Sequence, residues 1–426
     1  MRTLYSIAWW LALPLVVARL WWRGRREPGY RQHIAERFSF YSQVSAEPSS
    51  TPLIWIHAVS VGETRATEPL LDALLQAYPD HGILLTHMTA TGRATGQELF
   101  AKHGSRVQQC YLPYDTGWMS GRFLEHFAPH LCVLMETEVW PNLVAQCSAR
   151  AIPVALVNAR LSERSLKKAH RLGGLVIDAA RNLAVVGAQT VADAARLQQL
   201  GVRNVHVTGS IKFDVTPPAE RLQRGAALRS QIGARPVLLC ASTREGEEAL
   251  ILDALAQAEP DDTLLVLVPR HPQRFDEVAA LIAARKLPMC RRSSLDDASI
   301  GPELKVLLGD SMGEMFAYYA ACDVSFIGGS LLPLGGQNLI EACAVGKPVL
   351  LGPHTFNFTA VSEDAIEAGA ALRVTDAAAM LDAAARLLHD AAERRAMAGS
   401  AAAFAQLHRG ATARTMALLQ PLLQAH

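Results

Sequence analysis

The chain has 426 residues, half of them apolar and 19% charged, enough for two domains with large cores and little room for long disorder. A formal charge of only +1 argues against a nucleic-acid protein whose whole surface is basic. Seven scattered cysteines, with no CxxC and no His/Cys pair at metal spacing, argue against a disulfide frame or a zinc site and suit a reducing compartment.

LYSIAWWLALPLVVARLWW, residues 4–22, is apolar apart from Ser6 and Arg19 and has tryptophan near both ends. A bilayer span takes about 20 such residues, with aromatic girdles at the interfaces. The basic flank RGRRE follows, as expected on the cytoplasmic side. Residues 1–41 hold Arg2, Arg19, Arg23, Arg25, Arg26, Arg31 and Arg37 against Glu27 and Glu36. A signal peptide would carry its charge before the apolar run and a small-residue cleavage site after it; here most of the charge follows the run, and no such site is seen. Pro14 and Arg19 keep open a buried or in-plane interfacial helix. In each case residues 1–24 are expected to anchor the chain, single-pass or monotopic, with the globular part on the cytoplasmic face.

Beyond residue 50, short apolar runs alternate with helical stretches. LIWIHA, GILLTH, LCVLME, PVALVNA and LAVVGA are the predicted strands of a first half, which NVHVTGSIKFD closes. TPPAERLQRGAALRSQIGARP reads as a linker plus one helix, after which PVLLCAS, TLLVLVPR, LKVLLGD, CDVSFIGG and KPVLLG restart the pattern. Such alternation predicts two parallel α/β domains, over 25–215 and 216–426, with candidate sites at strand ends and a cleft between them. The Ala-rich tail reads as helical, with no nameable chemistry.

The strand ends hold the chemistry-bearing residues. Glu63 follows Gly62 where the strand IWIHAV gives way to a helix; the helix end favours the ionised acid, so Glu63 is either a base or a complement to the helix dipole. The loop lacks GxGxxG, which disfavours a dinucleotide site. Glu136 and Glu138 close the strand LCVLME and share a side if it continues. They either hold sugar hydroxyls, tune a base or pair with a cation, or else form a solvated strand end. Lys212 in GSIKFD either neutralises an anion or faces solvent. LVPRHPQRF places Arg270 and His271 at a strand end, where arginine suits phosphate and His271 before Pro272 suits a turn. In FIGGSLLPLGGQNLIEACAVGKPVLLGP, Gly328, Gly329, Gly335 and Gly336 are expected to leave N–H groups open to an anion. A helix is expected near Gln337, with Asn338 and Glu341 on one face. Ser311 and Gly313 in LGDSMGEM add another loop ahead of a helix.

HAVSVGE, METEVWPN, NARLSERS, GSIKFD, PRHPQRF, GGSLLPLGGQNLIEA and GPHTFNF, in that order, closely resemble the 3-deoxy-D-manno-octulosonic acid (Kdo) transferases of lipopolysaccharide synthesis. The resemblance implies a GT-B glycosyltransferase: two Rossmann-like domains facing a cleft, behind an N-terminal membrane-anchor helix. It implies CMP-Kdo as donor, a lipid A precursor (lipid IVA) as acceptor, membrane lipids around the anchor at the cell inner membrane, and inversion without a metal ion or other cofactor. No nucleic-acid partner is expected. By the same resemblance Glu63 is the proton acceptor, and Glu136 and Lys212 are transition-state stabilisers. Pro269, Arg270, Met312, Gly313, Glu314, Asn338, Leu339, Ile340 and Glu341 bind the CMP of the donor, with Glu341 on the ribose. Gln337 departs from the histidine expected in GGHN. A membrane-associated GT-B enzyme using a UDP-sugar and an inactive nucleotide-sugar-binding scaffold are the competing readings.

Overall fold

The computed structural model describes residues 2–25, 27–41, 51–258, 262–295 and 300–424. The chain divides into two compact units, Met1–Asp214 with Arg409–His426, and Val215–His408.

The first unit is built on seven parallel strands: β1 (Leu53–His57), β2 (Gly82–His87), β3 (Val107–Tyr111), β4 (Leu131–Met135), β5 (Val154–Ala159), β6 (Val185–Ala188) and β7 (Val205–Val207). Their order is β3-β2-β1-β4-β5-β6-β7. β2, β4 and β5 are buried at every position, which is why they read as unbroken apolar runs rather than alternating ones. Successive side chains of β1 face opposite layers. Trp55 packs with Phe123 and Leu134, whereas Ile54 and Ile56 pack with Leu70, Leu74 and Val133. The order reverses between β1 and β4, and open α/β sheets bind ligands outside the carboxyl ends at such a point.

The second unit repeats the principle with β8 (Val237–Thr243), β9 (Leu264–Pro269), β10 (Met289–Arg291), β11 (Val306–Leu308), β12 (Val324–Ile327), β13 (Val349–Leu351) and β14 (Ala371–Arg373). Their order is β10-β11-β9-β8-β12-β13-β14, reversing between β8 and β12. Six of the seven cysteines are buried, none in a disulfide, and Cys132, Cys147 and Cys240 pack as small apolar residues within the cores.

One expectation changes at the carboxyl end of the chain. The second domain does not run to residue 426. The helix Ala411–Gln424 belongs to the first unit, because Asp214 accepts the N–H groups of Gly410 and Thr412 and Leu419 enters the core beside Leu70. At the other end, Arg2–Arg23 is one helix despite Pro14, and it lies along the first unit. Leu13 is buried against Tyr114 and Met119, with Trp9, Val16 and Leu20 packed around them.

Candidate active site

Glu63 sits in the first turn of the helix Val61–Ala77. The Val59 N–H donates to Glu63 Oε2 at 2.7 Å, and the Ser60 hydroxyl to Oε1 at 3.2 Å. These bonds fix the carboxylate on the rigid junction after β1. Its pKa is nevertheless raised, chiefly by burial; the Val59 N–H opposes this, the charge of Glu136 adds to it, and Ser60 and Lys212 oppose it. The helix end, which by itself favours ionisation, is outweighed by burial. A carboxylate raised above its ordinary value is the better proton acceptor at neutral pH.

Glu136 follows β4, the strand beside β1, and is buried. It does not continue the strand. Its φ is 55°, a left-handed conformation that costs a non-glycine residue about 1–3 kcal/mol and recurs at functional sites. That turn separates Glu136 from Glu138, correcting the expectation that the two share a strand face. Lys212 Nζ lies 2.9 Å from Glu136 Oε1, and Arg160 Nε 3.1 Å from Oε2. Lys212 is held from β5: Asn158 Oδ1 accepts the Ile211 N–H at 3.2 Å, fixing the short 3₁₀ turn Ile211–Phe213. Burial, then the charge of Glu63, push the Glu138 pKa up to about 7.

Three carboxyls and two cations therefore meet at the carboxyl ends of β1, β4 and β5, across the reversal of strand order. In the sequence Arg160 is one residue of NARLSERS with no distinguishing mark, and Glu138 carries no role separate from Glu136. Tertiary proximity alone gives both a part. The arrangement can take a proton from a hydroxyl and offset negative charge within one cluster of polar groups.

In the second unit, Pro269 ends β9, and the Arg270 N–H donates to Thr243 O at 2.9 Å, across to β8. Met312 is exposed, and Gly313 takes a φ of 73°. Glu314 is a tethered acid: Ser311 donates to its Oε2 at 2.6 Å, Arg292 Nε lies 3.4 Å from that oxygen, and Arg224 Nη1 is 3.6 Å from Oε1. β11, β9, β8 and β12 are successive neighbours, so the loops holding residues 269–270, 312–314 and 328–341 share one edge of the sheet.

The glycine-rich loop differs from expectation. The N–H groups of Gly328, Gly329 and Gly336 are already engaged, by Ala241 O, Glu247 Oε2 and Gly329 O. Glu247, fully buried, also accepts from Leu331 and Arg244, each at 2.9 Å. It ties the loop to β8. A β-carbon on Gly328 would sit 2.5 Å from Ser242 O, so the close approach of these strands requires glycine there. The expected helix near Gln337 is only Ile340–Ala344. Asn338 precedes it, accepting the Ile340 N–H at 3.0 Å and donating to Glu341 Oε1 at 3.4 Å, so the two residues form a turn rather than a helical face. Leu339 and Ile340 are buried.

Residues 32–215 match the family described as 3-deoxy-D-manno-octulosonic-acid transferase (kdotransferase), and residues 262–403 match glycosyl transferases group 1. The 3-deoxy-D-manno-octulosonic acid transferase of Bordetella pertussis is 48% identical, with 99% of each chain covered. That of Haemophilus influenzae is 37% identical, again with 99% of each covered. Among solved structures, Anabaena HepE in complex with UDP aligns with a TM-score of 0.57 over 88% of this chain and 100% of that one. At 16% identity that likeness concerns fold alone, and it agrees with a GT-B architecture of two Rossmann-like units.

Proposed function

Given that the chain belongs to the 3-deoxy-D-manno-octulosonic-acid transferase family and is a Kdo-transferring glycosyltransferase, we propose that it takes Kdo from CMP-Kdo and places it on a lipid A precursor, lipid IVA. The acceptor hydroxyl oxygen bonds to the anomeric carbon as the bond from that carbon to the phosphate oxygen breaks. The electron pair leaves with CMP, and the configuration inverts. Glu63 takes the hydroxyl proton. Lys212, fixed by Glu136, offsets negative charge that builds in the transition state. No metal ion takes part.

The observation that supports this reading best is the meeting of Glu63, Glu136 and Lys212 at the reversal point of the first sheet. In the second unit Pro269, Arg270, Met312, Gly313, Glu314 and residues 338–341 hold the CMP, which their common sheet edge favours. The apolar helix Arg2–Arg23 keeps the enzyme at the cytoplasmic face of the inner membrane, where its acceptor resides. Mass spectrometry of the lipid formed from CMP-Kdo and lipid IVA tests the proposal. The expected product gains Kdo while CMP is released. Turnover with a UDP-sugar only, or CMP binding without any transfer, would overturn it.

A further inference from the structure

A helix of 22 residues at 1.5 Å each is about 33 Å long, enough to cross a hydrocarbon layer of about 30 Å. This helix, however, is engaged with the first unit from end to end. Asn142 Nδ2 donates to Ser6 Oγ at 3.0 Å, and Trp9 stacks on Tyr114 with centroids 5.6 Å apart. Leu13 is buried, Val16 and Leu20 pack in the same cluster as Phe38, and Arg31 donates to Trp21 O at 3.0 Å. Residues 6, 9, 13, 16 and 20 form one stripe at helical spacing. Crossing a bilayer in this state would carry Asn142 and the polar surface around it into hydrocarbon.

The opposite face is apolar as well and has no protein against it. Leu4, Leu11 and Leu15 are about three-quarters exposed, and Ile7 and Trp22 are exposed beside them. The apolar surface continues onto the globular part. Trp118 lies 6.3 Å from both Trp10 and Phe40, and Phe40 and Trp118 are half exposed. Cations border it: Arg122 stands over the Trp118 and Phe40 rings at 5.0 and 5.1 Å, and Arg31 over Trp21 at 4.3 Å. Arg19, Arg23 and Arg25 are also exposed, whereas the helix itself contains no acid and nearby Glu27 lies 3.6 Å from Arg23. Tryptophan at headgroup depth with arginine beside it is the chemistry of an anionic lipid interface.

We propose that the helix Arg2–Arg23 stays docked and lies in the plane of the membrane, pressing Leu4, Ile7, Leu11, Leu15 and Trp22, together with Phe40 and Trp118, into an anionic phospholipid surface. The enzyme is then monotopic, and its first unit is held at a fixed height and tilt over the lipid. This inference rests on the membrane reading above and specifies its geometry.

The test is spin-label depth measurement on the full chain, bound to vesicles of phosphatidylethanolamine and phosphatidylglycerol. Single labels go at positions 4, 11, 15, 22 and 118, all exposed, in a Cys290→Ser background; CMP binding serves as the check that each variant is folded. The docked arrangement gives one shallow depth, about 5–10 Å below the headgroups, at all five positions. A depth that passes from one interface at 22 through the midplane near 11 to the far interface at 4 would mean a span; it would overturn the in-plane inference while leaving membrane attachment intact. Labels that stay accessible to water beside vesicles, or become buried only as the protein dimerises, would overturn both.

Discussion

The Lys212 ammonium rests 2.9 Å from the Glu136 carboxylate, at the end of β4. Glu136 is buried in a left-handed conformation, so its position is set by the surrounding fold and in turn sets that of the lysine. Lys212→Met removes the charge and keeps most of the stem. The expected result is a fall in kcat of about 100-fold or more, the scale of losing one preorganised stabilising group. CMP affinity, measured by calorimetric titration, should stay unchanged. A variant that keeps kcat and loses CMP binding would remove Lys212 from the chemical step.

Glu63→Gln keeps the shape of the side chain and one of its two acceptor oxygens but cannot take a proton. A loss of about 10²–10⁴ in kcat is expected. The pH profile gives a second check. The base acts only when ionised, and burial holds its pKa above the ordinary 4.5. The acid limb of kcat/KM should therefore fall at a higher pH than a free carboxylate would give. A limb at or below that ordinary value would contradict the assignment.

Glu138 makes the stability prediction. Its pKa in the folded chain is about 7 against an ordinary 4.5, so between those values the folded state holds a proton that the unfolded state has lost. Stability from this group is therefore full below 4.5, declines as pH rises toward 7, and is flat beyond it. The decline is about 3 kcal/mol at most, at about 1.4 kcal/mol for every pH step between the two values. Glu138→Gln should raise Tm relative to the parent at pH 8 and not at pH 4.5. Equal differences at both pH values would refute the raised titration.

Glu247 holds the N–H groups of Arg244, Gly329 and Leu331 in a site with no exposure. Glu247→Ala strands three donors, of which those of Gly329 and Leu331 are buried and cost about 1–3 kcal/mol each if left unpaired. Urea denaturation should show a loss of about 3 kcal/mol or more, and CMP should bind more weakly to the loosened loop. An unchanged denaturation midpoint would mean that water replaces the carboxylate.

Metal independence is open to a direct check. Prolonged chelation should leave the initial rate as it was, because Lys212 and Arg160 already provide fixed positive charge near the acids. A rate that collapses and returns on adding magnesium would sink that part of the proposal.

Much of the architecture is legible because buried parallel strands are apolar without interruption. β1, β2, β4, β5, β8, β9 and β12 all stand out in this way. β3, β10 and β14 do not. Each is a sheet edge: β3 reads VQQCY with two glutamines, and the other two have three residues each, so a one-sided or short strand leaves little pattern. The last helix packs on the first unit although its position in the chain places it with the second, since an amphipathic helix does not specify which core receives its apolar face.

The candidate site shows the same division. Gly62-Glu63 after β1 and Gly246-Glu247 after β8 present one local pattern, a glycine and an acid opening a helix behind a core strand. The first acid is partly buried beside Glu136 and Lys212, and the second is sealed under backbone donors. Sequence alone determined the parallel α/β halves, the apolar N-terminal helix and the placing of acids at strand ends, because those follow from local periodicity and turn chemistry. Only the tertiary structure decided which strands flank the reversal of order, and so which charges meet. Burial and the distance between charges, which shift a carboxyl or pair it, arise from residues far apart in the chain and leave no local mark.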